Sequence, residues 1–275
     1  MNDHVERRER PVLTNPAAER VKQVRGLSRR SVRRRTRRIL VEGPQGVREA
    51  VHFAPEKIRD LYVTAEAAHR HADVVEPARQ AGVVVHEATE EVLAAMCDAD
   101  TPQGAAAVVD WSPASLEEVL ASEPRLLVLL AHVRDPGNLG TVIRGADAAG
   151  ADAVLVSDGS VDVMSPKVVR STAGSIFHLP VVTGLPVGQA LAALGAAGVR
   201  RLAADGAGRH TIDDTDLTGS HVWVMGNEAW GLGASTREAC DEVVRVPIHG
   251  HAESLNLAMA TTICLYASAR SQRND

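Results

Sequence analysis

Asp135-Pro136-Gly137-Asn138-Leu139-Gly140 follows the apolar stretch Leu126 to Ala131 and opens into a helix of small residues that carries Arg144. A strand that feeds a glycine-containing turn and then a helix is where α/β proteins build sites, because that loop lies at the carboxyl end of the sheet. Asn138 stands in the helix opening, and Arg144 follows about 9 Å further along the axis. Long helical side chains lean toward the N-terminus, which lets the guanidinium return to the loop. Two later runs repeat the pattern. Met225-Gly226-Asn227-Glu228-Ala229-Trp230-Gly231-Leu232 leaves the apolar strand His221 to Met225. Val246-Pro247-Ile248-His249-Gly250-His251-Ala252-Glu253-Ser254-Leu255-Asn256-Leu257 runs into a helix reaching about Ala269. Each places Gly, Asn, Glu or Ser where a strand ends, and none is a core pattern.

Other chemistries fail on spacing. The turn after the first strand contains no GxGxxG, and Asp205-Gly206-Ala207-Gly208 reads as a plain turn. With no GxxxxGK[ST] and no GxSxG, phosphate-loop hydrolases and serine hydrolases fall away. His249 and His251 are two apart on an extended loop and face opposite ways, so no metal is expected there even with Glu253 nearby. Cys97, Cys240 and Cys264 are odd in number and lack a CxxC spacing. Small buried thiols in a reduced setting are the expected reading. No stretch of 18 apolar residues exists and Met1 to Arg10 has no apolar h-region, so a cytoplasmic protein is expected.

The elements that must position these residues fall into two sets. From Arg25 the order is a basic helix or turn, a strand at Ile39 to Val41, a helix from Gln45 to His52, and a strand at Ile58 to Val63. A helix at His69 to Ala81, a strand at Val83 to His86, a helix at Thr89 to Cys97 and a strand at Ala105 to Val109 complete a small α/β sandwich. Past Trp111-Ser112-Pro113 the alternation restarts, with strands at Leu126 to Ala131, Ala153 to Val156, His178 to Val182, Arg200 to Ala204, His221 to Met225 and Val243 to Val246. Such alternation implies a mostly parallel sheet covered on both faces. Four segments are therefore expected: a flexible tail over 1–24, a small α/β domain over 25–110, a linker over 111–124 and a larger α/β domain over 125–275.

Charge divides the same way. Arg20 to Arg38 holds ten Lys or Arg and no Asp or Glu, so removing those ten from the total of −5 leaves −15 on the rest of the chain. A basic segment on an acidic body is the footprint of a protein that docks one face on a polyanion. Arg29, Arg30, Arg33, Arg34, Arg35, Arg37 and Arg38 are the candidate phosphate contacts.

In order and spacing the three runs resemble the motifs of the SpoU-type (TrmH family) RNA ribose 2′-O-methyltransferases of the SPOUT, or α/β-knot, superfamily. The resemblance covers about Arg25 to Arg270. It implies a SPOUT catalytic domain with a C-terminal trefoil knot, preceded by an L30e-like RNA substrate-binding domain. The implied cofactor is S-adenosyl-L-methionine, with no metal. The implied substrate is ribosomal RNA, more specifically 23S, and the implied assembly is a homodimer through the catalytic domain. Onto this sequence the family's catalytic positions fall at Asn138, Arg144, Glu228, Ser254 and Asn256. Glu228 is expected to hold Arg144 or Asn138, and Ser254 is also a natural cap for the last helix. Cofactor contacts fall at Ala203, Ala204, Gly226, Val246, Ile248 and Leu255, and further RNA contacts at Lys167 and Arg170. Val163-Met164 stands where relatives often carry an aromatic residue. A transfer RNA substrate, an inactive RNA-binding protein of the same fold, and a different nucleotide-binding α/β enzyme remain alternatives at this point.

Overall fold

The computed structural model describes residues 11–273, which divide between Trp111 and Ser112 into two compact units. The first runs α1 (Glu19–Arg25), α2 (Arg30–Thr36), β1 (Arg38–Glu42), α3 (Pro44–Phe53), β2 (Ile58–Val63), α4 (Ala65–Arg70), α5 (Ala72–Gln80), β3 (Val85–Glu87), α6 (Glu90–Met96) and β4 (Ala105–Asp110). Its four-stranded sheet has the order β1-β4-β2-β3, with β4 antiparallel to both neighbours and β2 parallel to β3. Leu40, Tyr62, Val92, Leu93 and Met96 form its core.

The expected tail is shorter than residue 24. Val21 and Val24 of α1, with Leu27 just beyond, make an apolar stripe that is buried in that core. Upstream, Leu13 bonds through its backbone to Glu87 at 2.8 Å and to Thr89 at 3.0 Å. Residues 1–10 of that expected tail lie outside the described residues.

The second unit runs α7 (Leu116–Ala121), β5 (Leu126–Leu130), α8 (Pro136–Ala149), β6 (Ala153–Ser157), α9 (Pro166–Ser171), β7 (Val181–Leu185), α10 (Val187–Ala196), β8 (Arg200–Ala204), β9 (His210–Thr211), β10 (His221–Met225), α11 (Ala234–Glu238), β11 (Glu242–Arg245) and α12 (Leu257–Arg273). The sheet order is β7-β6-β5-β10-β8-β11-β9, and every pairing is parallel. Every residue of β5, β6 and β10 is buried, as a sheet covered on both faces requires.

Two expectations change here. Residues 111–124 are not a loose linker: Ser115 and Glu118 form a reciprocal capping box at the start of α7, and Val119 is buried in the sheet's core. The strand expected from His178 begins at Val181, because Gly174 at φ 104 turns the chain into a short 3-10 segment through Phe177. The final helix is not buried all round. Leu257, Cys264, Leu265 and Ser268 face inward, whereas Met259, Ile263 and Tyr266 are exposed.

α12 is tied to β10 through a buried polar contact. Ser268 Oγ accepts from Trp223 Nε1 at 2.8 Å and lies 2.7 Å from His221 Nε2, while His221 Nδ1 lies 2.8 Å from the Gly219 carbonyl. Burial holds the His221 imidazole below its ordinary pKa of 6.5.

Candidate active site

Register brings the three motif loops together. Met225 pairs with Leu130 on β5 and with Ala204 on β8, and Ala204 pairs with Val244 on β11. All four strands are parallel, so the loops that leave their carboxyl ends emerge along one edge of the sheet.

At the first loop Asp135 is the N-cap of α8, its Oδ1 accepting the Asn138 N–H at 2.7 Å, and Pro136 occupies the first helical position. A capping role for Asn138 is thereby removed, and its half-buried side chain turns outward from the helix end to other motifs. Nδ2 donates to Glu228 Oε1 at 3.2 Å, and Oδ1 accepts from Asn256 Nδ2 at 3.0 Å. The carboxylate of Glu228 also accepts the backbone N–H groups of Arg134 and Asp135, each at 3.2 Å. Glu228 therefore binds Asn138 and the first loop, and it does not bind Arg144. Arg144 is exposed and makes no hydrogen bond or ion pair among the described residues.

Asn256, not Ser254, caps the last helix: its Oδ1 accepts from Ala258 at 2.9 Å and Met259 at 3.3 Å. Ser254 lies two residues upstream, exposed on the loop. One amide side chain thus serves both as helix cap and as donor to Asn138.

The second loop is a tight turn. Asn227 and Gly231 exchange backbone bonds at 3.0 and 2.9 Å, and Gly231 adopts φ 65. A Cβ on Gly226 would come within 2.3 Å of the Gly231 carbonyl carbon, so only glycine admits this approach. Asn227 is buried, donating from Nδ2 to the His132 carbonyl at 2.6 Å and accepting the Ala229 N–H at 2.8 Å. His132 itself sits at φ 57 at the end of β5. Sequence reasoning passed over Asn227 and Asp135, although an Asp directly before a helix-starting Pro is a cap signature.

The six cofactor candidates divide. The Ala203 side chain is fully buried in the core, so only its backbone is available. Ala204, Gly226 and Val246 are half-buried at adjacent strand ends, and Ile248 and Leu255 are exposed on the third loop. Glycine, alanine and backbone at adjacent strand ends suit a flat ligand held by main-chain groups. Among the described residues no group of three or more His, Cys, Asp or Glu is placed to hold a metal ion.

Residues 125–266 match the family model of the SpoU rRNA Methylase family. The chain belongs to that family. Residues 18–107 match the MRM3-like substrate binding domain. Among relatives of this SpoU-family chain is the 23S rRNA (guanosine(2553)-2′-O)-methyltransferase RlmP of Bacillus subtilis, 35% identical over 252 residues, or 90% of this chain and 95% of that protein. The 23S rRNA (guanosine-2′-O-)-methyltransferase RlmB of Bordetella pertussis is 32% identical over 239 residues, or 85% of this chain and 98% of that one. An AdoMet-bound rRNA methyltransferase from Sinorhizobium meliloti superposes with a TM-score of 0.83 at 32% identity, covering 94% of this chain and 97% of its own. The SpoU methyltransferase AviRb from Streptomyces viridochromogenes, in complex with AdoMet, gives 0.82 at 29%, covering 94% and 100%.

Within the SpoU domain, Lys167 is exposed and Arg170 half-buried on α9, which starts with Ser165 as N-cap and Pro166 at the first position. Gly140 lets α9 lie against α8, since a Cβ there would meet Ser171 Cβ at 2.4 Å. Val163 and Met164 are buried just ahead of α9.

In the MRM3-like domain the arginine run proves heterogeneous. Arg29, Arg30, Arg34, Arg35 and Arg37 are exposed. Arg33 is only 3% exposed and donates to the carbonyls of Leu27 at 2.8 Å and Ser28 at 2.6 Å, so it is a structural cation and not a phosphate contact. Arg38 is half-buried and paired with Asp110 at 3.2 Å, which leaves it poorly placed for phosphate. A cleft of about 460 Å³ lies among Lys22, Arg29, Arg35, Val24, Val32 and Tyr62. Its Tyr62 phenol is pushed up to about 12 by burial and then by the Asp60 carboxylate.

Proposed function

We propose that this chain is an S-adenosylmethionine-dependent RNA ribose 2′-O-methyltransferase that acts on 23S ribosomal RNA. The observation that carries the proposal is the Glu228–Asn138–Asn256 relay, which joins one residue from each motif at the carboxyl edge of a parallel sheet. The family and the printed activities of its relatives support the same reading.

S-adenosylmethionine, when bound, supplies an activated methyl group on a sulfonium. Gly226, Ala204, Val246 and Ile248, with Leu255, are the residues proposed to hold it, through backbone and small side chains. What remains for the protein is to hold the ribose oxygen and stabilise the charge it develops. Arg144 supplies a cation with no hydrogen bond or ion pair among the described residues, so the role proposed for it is electrostatic and not that of a base. Glu228 and Asn256 fix the Asn138 amide, and Ser254 offers a hydroxyl on the adjoining loop. Lys167 and Arg170, with Arg29, Arg30, Arg34, Arg35 and Arg37, are the proposed phosphate contacts.

The exposed stripe Met259, Ile263 and Tyr266 on α12, spaced four and three apart, supports a homodimer through the catalytic domain. The trefoil knot belongs to the same proposal, on the strength of the family fold. Incubation with 23S transcripts and labelled cofactor, followed by mapping of 2′-O-methyl sites, is the test. Transfer to a base nitrogen or carbon, or no transfer to any ribosomal RNA, would overturn the reading.

A further inference from the structure

Trp230 is 60% exposed, whereas Trp223 of the same unit is fully buried. It stands two residues after Glu228, on the turn that Asn227 and Gly231 close by paired backbone bonds. The turn is pinned at its base by the buried Asn227 side chain and by the close approach at Gly226. A backbone so constrained fixes the point from which the indole projects, which limits the ordering entropy lost when something stacks on it.

The neighbouring loop adds a charge. Glu228 holds the Arg134 backbone N–H, and the Arg134 side chain is exposed with no ion pair or hydrogen bond among the described residues. An aromatic face and an uncommitted guanidinium thus flank the Glu228 relay. That pairing of chemistries fits a single-stranded nucleotide: base on the aromatic plane, phosphate on the cation. A second copy of the chain is the poorer fit. The apolar stripe suited to it runs along α12, and Trp230 sits on a polar turn instead.

We infer that Trp230 is a stacking platform for an unpaired nucleobase of the RNA substrate, with Arg134 taking an adjoining phosphate. The inference rests on the RNA reading above and adds a recognition subsite to it.

Tryptophan fluorescence of the full chain reads the contact directly. A twelve-residue oligoribonucleotide should quench the emission, and an abasic oligomer of equal charge should not. Trp230→Phe should abolish the quench while retaining RNA affinity within a few-fold. Trp230→Ala should raise KM for RNA about five- to a hundredfold, the scale for losing one base–aromatic stack, with kcat and S-adenosylmethionine affinity unchanged. Arg134→Gln should weaken base-bearing and abasic oligomers equally. A Trp230→Ala enzyme with wild-type KM overturns the inference and leaves the methyltransferase reading standing. So does a variant that loses cofactor affinity, or one that changes oligomeric state. A wild-type protein that is quenched by RNA but transfers no methyl sinks that reading and spares the subsite.

Discussion

Asn256 Nδ2 donates to Asn138 Oδ1 at 3.0 Å, and the two residues stand 118 positions apart. Their orientations are forced. A carboxylate can only accept, so the Asn138 amide nitrogen must face Glu228; Asn256 Oδ1 is committed to two N–H groups of α12. The relay is therefore directional, running from the cap of the last helix to the carboxylate of the second loop.

Asn138→Asp sets two carboxylates against each other and should slow single-turnover methyl transfer by about a hundredfold. Adding Glu228→Gln restores a donor facing the new carboxylate, so the double variant should recover part of the loss. The expected coupling is on the order of 0.5–3 kcal/mol. Strictly additive losses would show that the two side chains do not act as a pair.

Arg144 has no partner to lose among the described residues, so Arg144→Ala should leave the melting temperature and cofactor affinity unchanged while slowing transfer roughly a hundredfold. Arg144→Lys keeps the charge without the planar fork and should rescue only part of the rate. Rates across pH decide the role. A lysine variant that overtakes wild type at high pH, as its amine deprotonates, would restore a general-base role.

Arg29, Arg34 and Arg35 are exposed and unpaired among the described residues. Neutralising each should reduce the slope of log affinity against log salt by about 0.7–0.9. Arg33→Ala should behave differently. It leaves the Leu27 and Ser28 carbonyls without their donor and should lower stability by about 1.5–3 kcal/mol while the salt slope stays put. Equal effects at all four positions would contradict the division drawn here.

Stability should depend on pH through His221. Burial lowers its pKa from 6.5, so in the window between the folded value and 6.5 the unfolded chain binds a proton that the native one does not. The contribution is complete above about pH 6.5 and is lost as pH falls toward the folded value. Denaturant melts from pH 8 to 5 should show the decline, and His221→Gln should flatten it. An unchanged slope in that variant would assign the decline to other histidines.

Ile263→Asp places a charge within the exposed stripe of α12 and should convert a dimer to a monomer by light scattering at micromolar concentration. The far-ultraviolet spectrum should stay intact, because Ile263 is 42% exposed in the single chain. A wild type that is already monomeric and active would remove the homodimer from the proposal.

Much of the site was legible because strand ends, glycines and amides fall at fixed places along an α/β chain. β8 and β10 lie at the expected residues, and β5 differs by one. What stayed hidden depends on three dimensions. Arg33 is indistinguishable from its neighbours in a charge run, and only the fold of Leu27 and Ser28 beneath it makes it structural. α1 offers a stripe of just two valines, too short to outweigh the charges between them. β9 spans two residues and has no periodicity to read. Asn256 took the cap expected of Ser254, and Asn138 was left free for the relay because Asp135 had already taken the first cap through one 2.7 Å bond.

The Gly226–Gly231 approach also bears on how this chain can diversify. Backbone contact at the base of the turn isolates its tip, so Ala229 and Trp230 are exchangeable without disturbing the strand below, while Gly226 tolerates nothing larger. With Trp230 as the proposed stacking platform, altering residues 229 and 230 tunes how strongly an unpaired base is held, with the Glu228 relay left in place. Selection acting on two adjacent codons is enough to explore it.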